Sequence, residues 1–457
     1  MSTPDDATDR AHELAVLRDA DERARRYIAG IGTRPVYPDA TAIAGLDAFR
    51  EQLPEEGHGA ESTIDLLDRV GSAAAVETNG HRYYGFVIGA TLPVAAAADR
   101  LALAWDNSAS SATGSPALAA IEAVAGEWML DILDLPRESA VGFSTSAASG
   151  TVVALAAARR TVLARAGWDL DQRGLHQAPQ VRVVASELTH VVVKKALRVL
   201  GFGLDSVTFA STDDLGRIDP ERLPEIDART ILILQAGEVN TGEFDPFDRI
   251  MDAGGDAAGW VHVDGAFGLW ARATAHRELT AGVDRADSWT VDGHKWLNTP
   301  YDSAAVIVRD REALVHAMHA GAEYSAATAD DQMNRTLEFS RRARGVTIWA
   351  ALRGLGRRGV AAQIERSVAL ARQAADGLRA SGYTVLNRPV LNQVLVRAES
   401  PAATARILAA AQASGRTWFG GTVWRGEPAF RISVSSWRTG PEDIADLVAL
   451  LRELREE

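Results

Sequence analysis

The chain has 457 residues, of which 47% are hydrophobic and 24% charged, with a formal net charge of −13 and no cysteine. It exceeds one typical domain in length and is ordinary for a globular protein in composition. The negative balance, with no block of lysine and arginine against it, argues against a nucleic-acid or anionic-membrane surface, and the missing cysteines exclude disulfides and thiolate zinc sites.

The opening Met1-Ser-Thr-Pro-Asp-Asp6 is polar and does not read as a signal peptide. Residues 7–28 read as a charged amphipathic helix, broken by Thr33-Arg-Pro-Val-Tyr-Pro-Asp39, and 62–75 as a second helix. The apolar run 90–104 is interrupted by Pro93, Asp99 and Arg100, so it is not expected to span a membrane. From 81 to 308 strands alternate with helices. Helices are expected over 93–105, 116–133, 149–166 and 191–200, and strands over 180–185, 231–235, 260–263, 288–291 and 304–308. Several strands are unbroken apolar runs, which suits a mainly parallel sheet buried on both faces. From 341 the texture changes. A long helix over 344–381 precedes strands at 383–386, 393–397, 416–424 and 430–435, a helix at 401–414 and a last helix from Pro441. The division expected is a helical segment 1–80, a large α/β domain 81–340 and a small α+β domain 341–457.

Two stretches carry chemistry. Trp260-Val-His-Val-Asp-Gly-Ala266 is an apolar strand ending in a carboxylate, and Ser288-Trp-Thr-Val-Asp-Gly-His-Lys-Trp-Leu-Asn298 places Lys295 just past a strand. Ligands in parallel sheets bind beyond the strands' carboxyl ends. A partly buried lysine loses its proton more readily than a solvated one, and its free amine can form a Schiff base with a carbonyl. Such an amine and a strand-end aspartate are what pyridoxal 5′-phosphate (PLP) asks of a protein.

From about Thr78 to about Arg438 the chain resembles the group II PLP-dependent amino-acid decarboxylases, most specifically in His262-Val-Asp264, Asp292-Gly-His-Lys295 and their spacing. The resemblance implies PLP fold type I: a large domain with a mostly parallel seven-stranded sheet and a small C-terminal α+β domain. It also implies a homodimer acting on an amino acid; no metal is expected, and a cytoplasmic location is the expectation from the polar N-terminus and the interrupted apolar run. Lys295 would hold PLP as a Schiff base, and Asp264 would pair with the pyridine nitrogen. His190 and Ala266 would cover the two ring faces. Ser146, Ala147 and His294 would reach the phosphate, and Asp292 is counted among the cofactor-binding residues. Glu238 stands at the cofactor edge, where relatives carry threonine or asparagine, and is expected to face cofactor or substrate; Gly265 replaces a common alanine, a mild change. His262 is expected to fill the interior. Arg431 and Arg438 could bind a carboxylate or serve packing.

One departure bears on the outcome. Decarboxylases of this group carry a tyrosine on a mobile loop, and the matching stretch 325–340 has none. Tyr324 lies just before it at a structural position, and His319 or a residue of the partner subunit is the alternative proton donor. The expected activity is L-amino-acid decarboxylation. The alternatives are aldehyde-forming oxidative deamination, transamination, carbon–carbon lyase chemistry, or non-catalytic PLP binding. The loop is expected to be mobile and open to the site.

Overall fold

The computed structural model describes residues 6–319 and 328–456. Its larger sheet contains β1 (Ala140–Ser144), β2 (Arg182–Ser186), β3 (Val207–Ala210), β4 (Thr230–Gln235), β5 (Trp260–Asp264), β6 (Ser288–Asp292) and β7 (Ala304–Val308), in the order β1-β7-β6-β5-β4-β2-β3. Pairings among β3, β2, β4, β5 and β6 are parallel, and β7 runs antiparallel to both β6 and β1. Every residue of β4, β5, β6 and β7 is buried, as strands covered on both faces require. The helix Ala147–Arg165 packs on one face with Val153, Ala154, Ala157 and Ala158 in the core. Trp270, Trp289, Trp296 and Ile348 fill the other side.

Two strands escaped the sequence reading. β3 is an edge strand with Thr208 and Phe209 exposed, so it lacks an apolar run. β1 is interrupted by Gly142, where a Cβ would stand 2.3 Å from the Arg335 carbonyl oxygen. The glycine admits a crossing backbone, and that interrupts the strand signature. The second expected helix is α-helical over Ala60–Leu66 and widens into a π-turn over Leu67–Ser72. The long helix Gly345–Ala380 is broken at Gly356, whose φ of 63° and ψ of 174° are not helical.

The C-terminal part forms an antiparallel sheet of β8 (Thr384–Val385), β9 (Gln393–Arg397), β10 (Gly420–Trp424) and β11 (Glu427–Ser433), ordered β10-β11-β9-β8. Helices Pro401–Ala413 and Pro441–Glu456 cover it through Ile407, Ala411, Ile444, Leu447 and Leu451. Among the described residues, no helix is long and apolar enough to cross a membrane.

Candidate active site

The carboxyl ends of β4, β5 and β6 lie side by side, with Gln235 paired in register to Asp264 and Asp264 to Thr290. Beyond them opens a cavity of about 350 Å³. Its walls include Ser146, Ala147 and Ala148 at the start of one helix, His190 at the start of another, and Asp264, Ala266, Asp292, His294 and Lys295. Eight of the nine residues singled out from the sequence therefore meet in one place.

Glu238 is the ninth, and its carboxylate turns away. It accepts from the Asn240 amide at 2.7 Å, the Thr241 amide at 2.7 Å and Asn240 Nδ2 at 2.9 Å, all within its own loop. It is 1% exposed, and burial raises its pKa against these hydrogen bonds. The cavity wall from this loop is instead Gln235, Gly237 and Val239. The side chain closes its own turn, which a linear sequence does not reveal.

Asp264 is 7% exposed, and its Oδ1 accepts from the Ala266 amide at 3.2 Å. Gly265 beside it is a close approach: an added Cβ would lie 2.7 Å from Leu269 Cβ and 3.0 Å from the Thr290 carbonyl oxygen. The exchange of alanine for glycine is thus matched to Leu269 rather than mild. His190 caps its helix, with Nδ1 accepting from the Val192 amide at 3.4 Å. Burial lowers its pKa, opposed by nearby Asp264, so the ring stays neutral at pH 7. His262 is fully buried with Nδ1 2.9 Å from Ser288 Oγ; it fills the interior.

Lys295 stands on a tightly pinned turn. Gly293 and His294 donate their amides to the Ser303 carbonyl, and Thr299 donates to Gly293. Asn298, in left-handed conformation at φ 54°, donates through Nδ2 to the carbonyls of Lys295, Trp296 and Ser435 and accepts from the Trp437 amide. Gly89 closes the outer side, where a Cβ would meet the Lys295 carbonyl oxygen at 2.0 Å. The amine lies 3.3 Å from Asp292 Oδ2 and 5.8 Å from the Phe267 ring centre. His294 stacks on Tyr301 at 4.3 Å between centroids; burial and nearby Asp292 push the Tyr301 phenol up to about 12.

Phe86, Val87, Phe267 and Arg431 complete much of the wall. Arg431 donates from Nη1 to the Val239 carbonyl at 2.5 Å, and burial lowers its pKa. Arg438 does not line the cavity; its guanidinium lies 4.5 Å over the Trp437 ring. Within the lining, Gln235 Nε2, His294 Nδ1 and Arg431 Nε are buried with no hydrogen-bond partner. Buried polar atoms of this kind call for a polar ligand. With an amine, a strand-end carboxylate and a helix N-terminus in the same walls, the residues fit PLP.

The expected open loop is only partly so. Tyr324 and residues 325–327 lie outside the described residues. Asp331 to Thr336 are buried: Gln332 Oε1 accepts from the Phe143 amide at 2.9 Å and its Nε2 donates to the Val141 carbonyl at 3.0 Å, fastening this stretch to β1. Thr328 to Asp330 are exposed, as is His319, which is not in the cavity lining.

The pyridoxal-dependent decarboxylase conserved domain matches residues 77–397. The chain belongs to this family. It is 27% identical to tryptophan decarboxylase 1 of Oryza sativa subsp. japonica over 382 residues, 77% of this chain and 73% of that protein. L-2,4-diaminobutyrate decarboxylase of Rhizobium meliloti (strain 1021) is 25% identical over 440 residues, 91% and 86% of the two chains. A solved structure of Oryza sativa TDC with PLP and tryptamine superposes with a TM-score of 0.90 at 23% identity, covering 100% of this chain and 99% of that one. The pyridoxal-dependent decarboxylase is accordingly a carboxy-lyase that uses PLP on an amino acid, and its two-sheet architecture is that of fold type I.

Proposed function

We propose that the protein removes the α-carboxylate of an L-amino acid with PLP held covalently on Lys295. The observation that carries this is the meeting of Lys295 and Asp264 in one cavity at the ends of adjacent parallel strands. When bound, PLP supplies a carbonyl for an amine and a pyridinium ring that takes up the electrons of a breaking bond at Cα. Asp264 would hold the proton on the ring nitrogen. Neutral His190 and the Ala266 methyl would flank the ring and fix its plane. Ser146, Ala147 and His294 would face the phosphate end. Lys295, once released by the substrate amine, would move protons. Arg431, a buried cation in the wall, suits a substrate carboxylate.

A second outcome is favoured by one feature: neither 328–340 in the structure nor 325–327 in the sequence offers a tyrosine. If nothing protonates the carbon promptly after carbon dioxide leaves, oxygen can take the electrons. The products are then aldehyde, ammonia and hydrogen peroxide instead of amine.

The reading includes a homodimer in the cytoplasm. Val94, Leu101, Leu103 and Trp105 project from the helix Pro93–Trp105, each at least 43% exposed, and Leu14, Leu17 and Leu67 lie bare on the N-terminal segment. Large apolar side chains exposed in this number support a protein interface.

Borohydride treatment of the PLP-loaded enzyme and peptide mapping should find the cofactor on Lys295. Recovery on Lys194, Lys195 or on no peptide would remove the assignment. Incubation with a panel of L-amino acids, scored by product mass, separates amine from aldehyde.

A further inference from the structure

Asp292 occupies a position that an anionic ligand would contest. It ends β6, is 3% exposed, and its Oδ1 accepts from the Ala147 amide at 2.7 Å. Ala147 is the first residue of a 19-residue helix, whose N-terminus gathers partial positive charge and points backbone donors at an anion. The other carboxylate oxygen lies 3.3 Å from Lys295 Nζ, and His294 Nε2 is 3.7 Å from Oδ1. One carboxylate thus satisfies the helix amide and pairs with the amine. Ser146, Ala147, Ala148, His294 and Lys295 line the cavity with it.

A phosphate arriving at the same amide would meet a carboxylate that is 3% exposed, and like charges repel more in a buried site than in solvent. We propose that Asp292 is an internal occupant of the phosphate subsite, displaced from the Ala147 amide when the phosphate of the cofactor binds. The inference rests on the PLP reading above. Asp292 keeps Lys295 paired and the helix N-terminus capped until a ligand brings both a phosphate and a ring that fits the cavity. Inorganic phosphate brings only the first, so the carboxylate selects against it. No bond is made or broken in this exchange; the Ala147 N–H passes from one acceptor to another.

The test compares two ligands that lack the aldehyde and so cannot react with Lys295. Full-length protein stripped of cofactor is titrated with pyridoxine 5′-phosphate and with pyridoxine, and the affinity ratio isolates the phosphate contribution. In Asp292→Asn that ratio should rise by about tenfold or more, because the repulsion is gone while an amide can still hydrogen-bond. Inorganic phosphate should gain as a competitor in the same direction. A merely structural role would move both ligands together. An unchanged or smaller ratio in Asp292→Asn, or in Asp292→Ser should the first variant not fold, overturns the proposal. Failure of wild-type protein to bind either PLP or pyridoxine 5′-phosphate removes the cofactor reading itself. Binding by wild type with no change in ratio removes only the role of Asp292.

Discussion

Buried histidines are neutral here for a simple reason: a charged ring out of water needs a partner, and theirs are too few or too distant. The clearest case is His262, whose pKa burial pushes down from 6.5 to about 3. The sign follows from linkage. Below 6.5 the unfolded chain takes a proton that the folded protein refuses, so stability falls as pH drops from 6.5 toward 3. His262 contributes a slope of about 1.4 kcal/mol per pH unit in that window. Urea unfolding between pH 7 and 4.5 should show a slope reduced by one proton in His262→Gln. On the proposed pairing of Asp264 with the ring nitrogen, exchange to asparagine should leave PLP bound but cost roughly 10²-fold or more in turnover, since the anion that would keep that nitrogen protonated is lost. Near-normal turnover would reduce Asp264 to a turn former. These residues are singled out by the family resemblance, which His262-Val-Asp264 and Asp292-Gly-His-Lys295 carry together and in order; a lone His-Lys pair is weak evidence. Glu238 misled because only the path of its loop decides where a carboxylate faces, and that path depends on Asn240 and Thr241 closing around it.

Among the elements, the stretch 328–340 differs most from expectation. Its polar composition suggests a free loop, yet Gln332 uses its amide as a substitute strand partner for Phe143 and Val141. Composition reports what a segment can leave in water and cannot report a buried polar side chain whose bonds are all met. Gln332→Ala would strand one amide and one carbonyl, and a loss of about 2–4 kcal/mol is expected in denaturant unfolding. The same geometry sorts the sites for an engineered proton donor. Tyrosine at Ala329 or Asp330 stands on exposed backbone and should raise the amine share of the product. At 332–336 it should instead lower the melting temperature through overpacking. A product ratio that does not move with tyrosine at 329 or 330, turnover intact, would free the loop from any role in the outcome. The strand order and the lone antiparallel β7 were not readable either: apolar runs identify buried strands without stating their direction.

At the scale of the molecule, the periodic pattern was enough for two sheets and their covering helices, since each has a face to bury. The bare leucines were less informative in sequence, where an exposed and a buried leucine look alike. Their exposure predicts association. Leu101→Asp together with Leu103→Asp, both on solvent-facing positions, should shift sedimentation from dimer to monomer without unfolding the chain. A wild-type chain that sediments as a monomer would remove the dimer. Asn298 has a wider consequence. By joining the backbone of Lys295 and Trp296 to Ser435 and Trp437, it makes the turn that carries the amine and the segment following β11 one mechanical unit. Stiffening at the amine should then be felt across the chain. The Trp437 amide, far from any ligand in sequence, should exchange its hydrogen with solvent more slowly once the cofactor is in place, and Asn298→Ala should abolish that slowing.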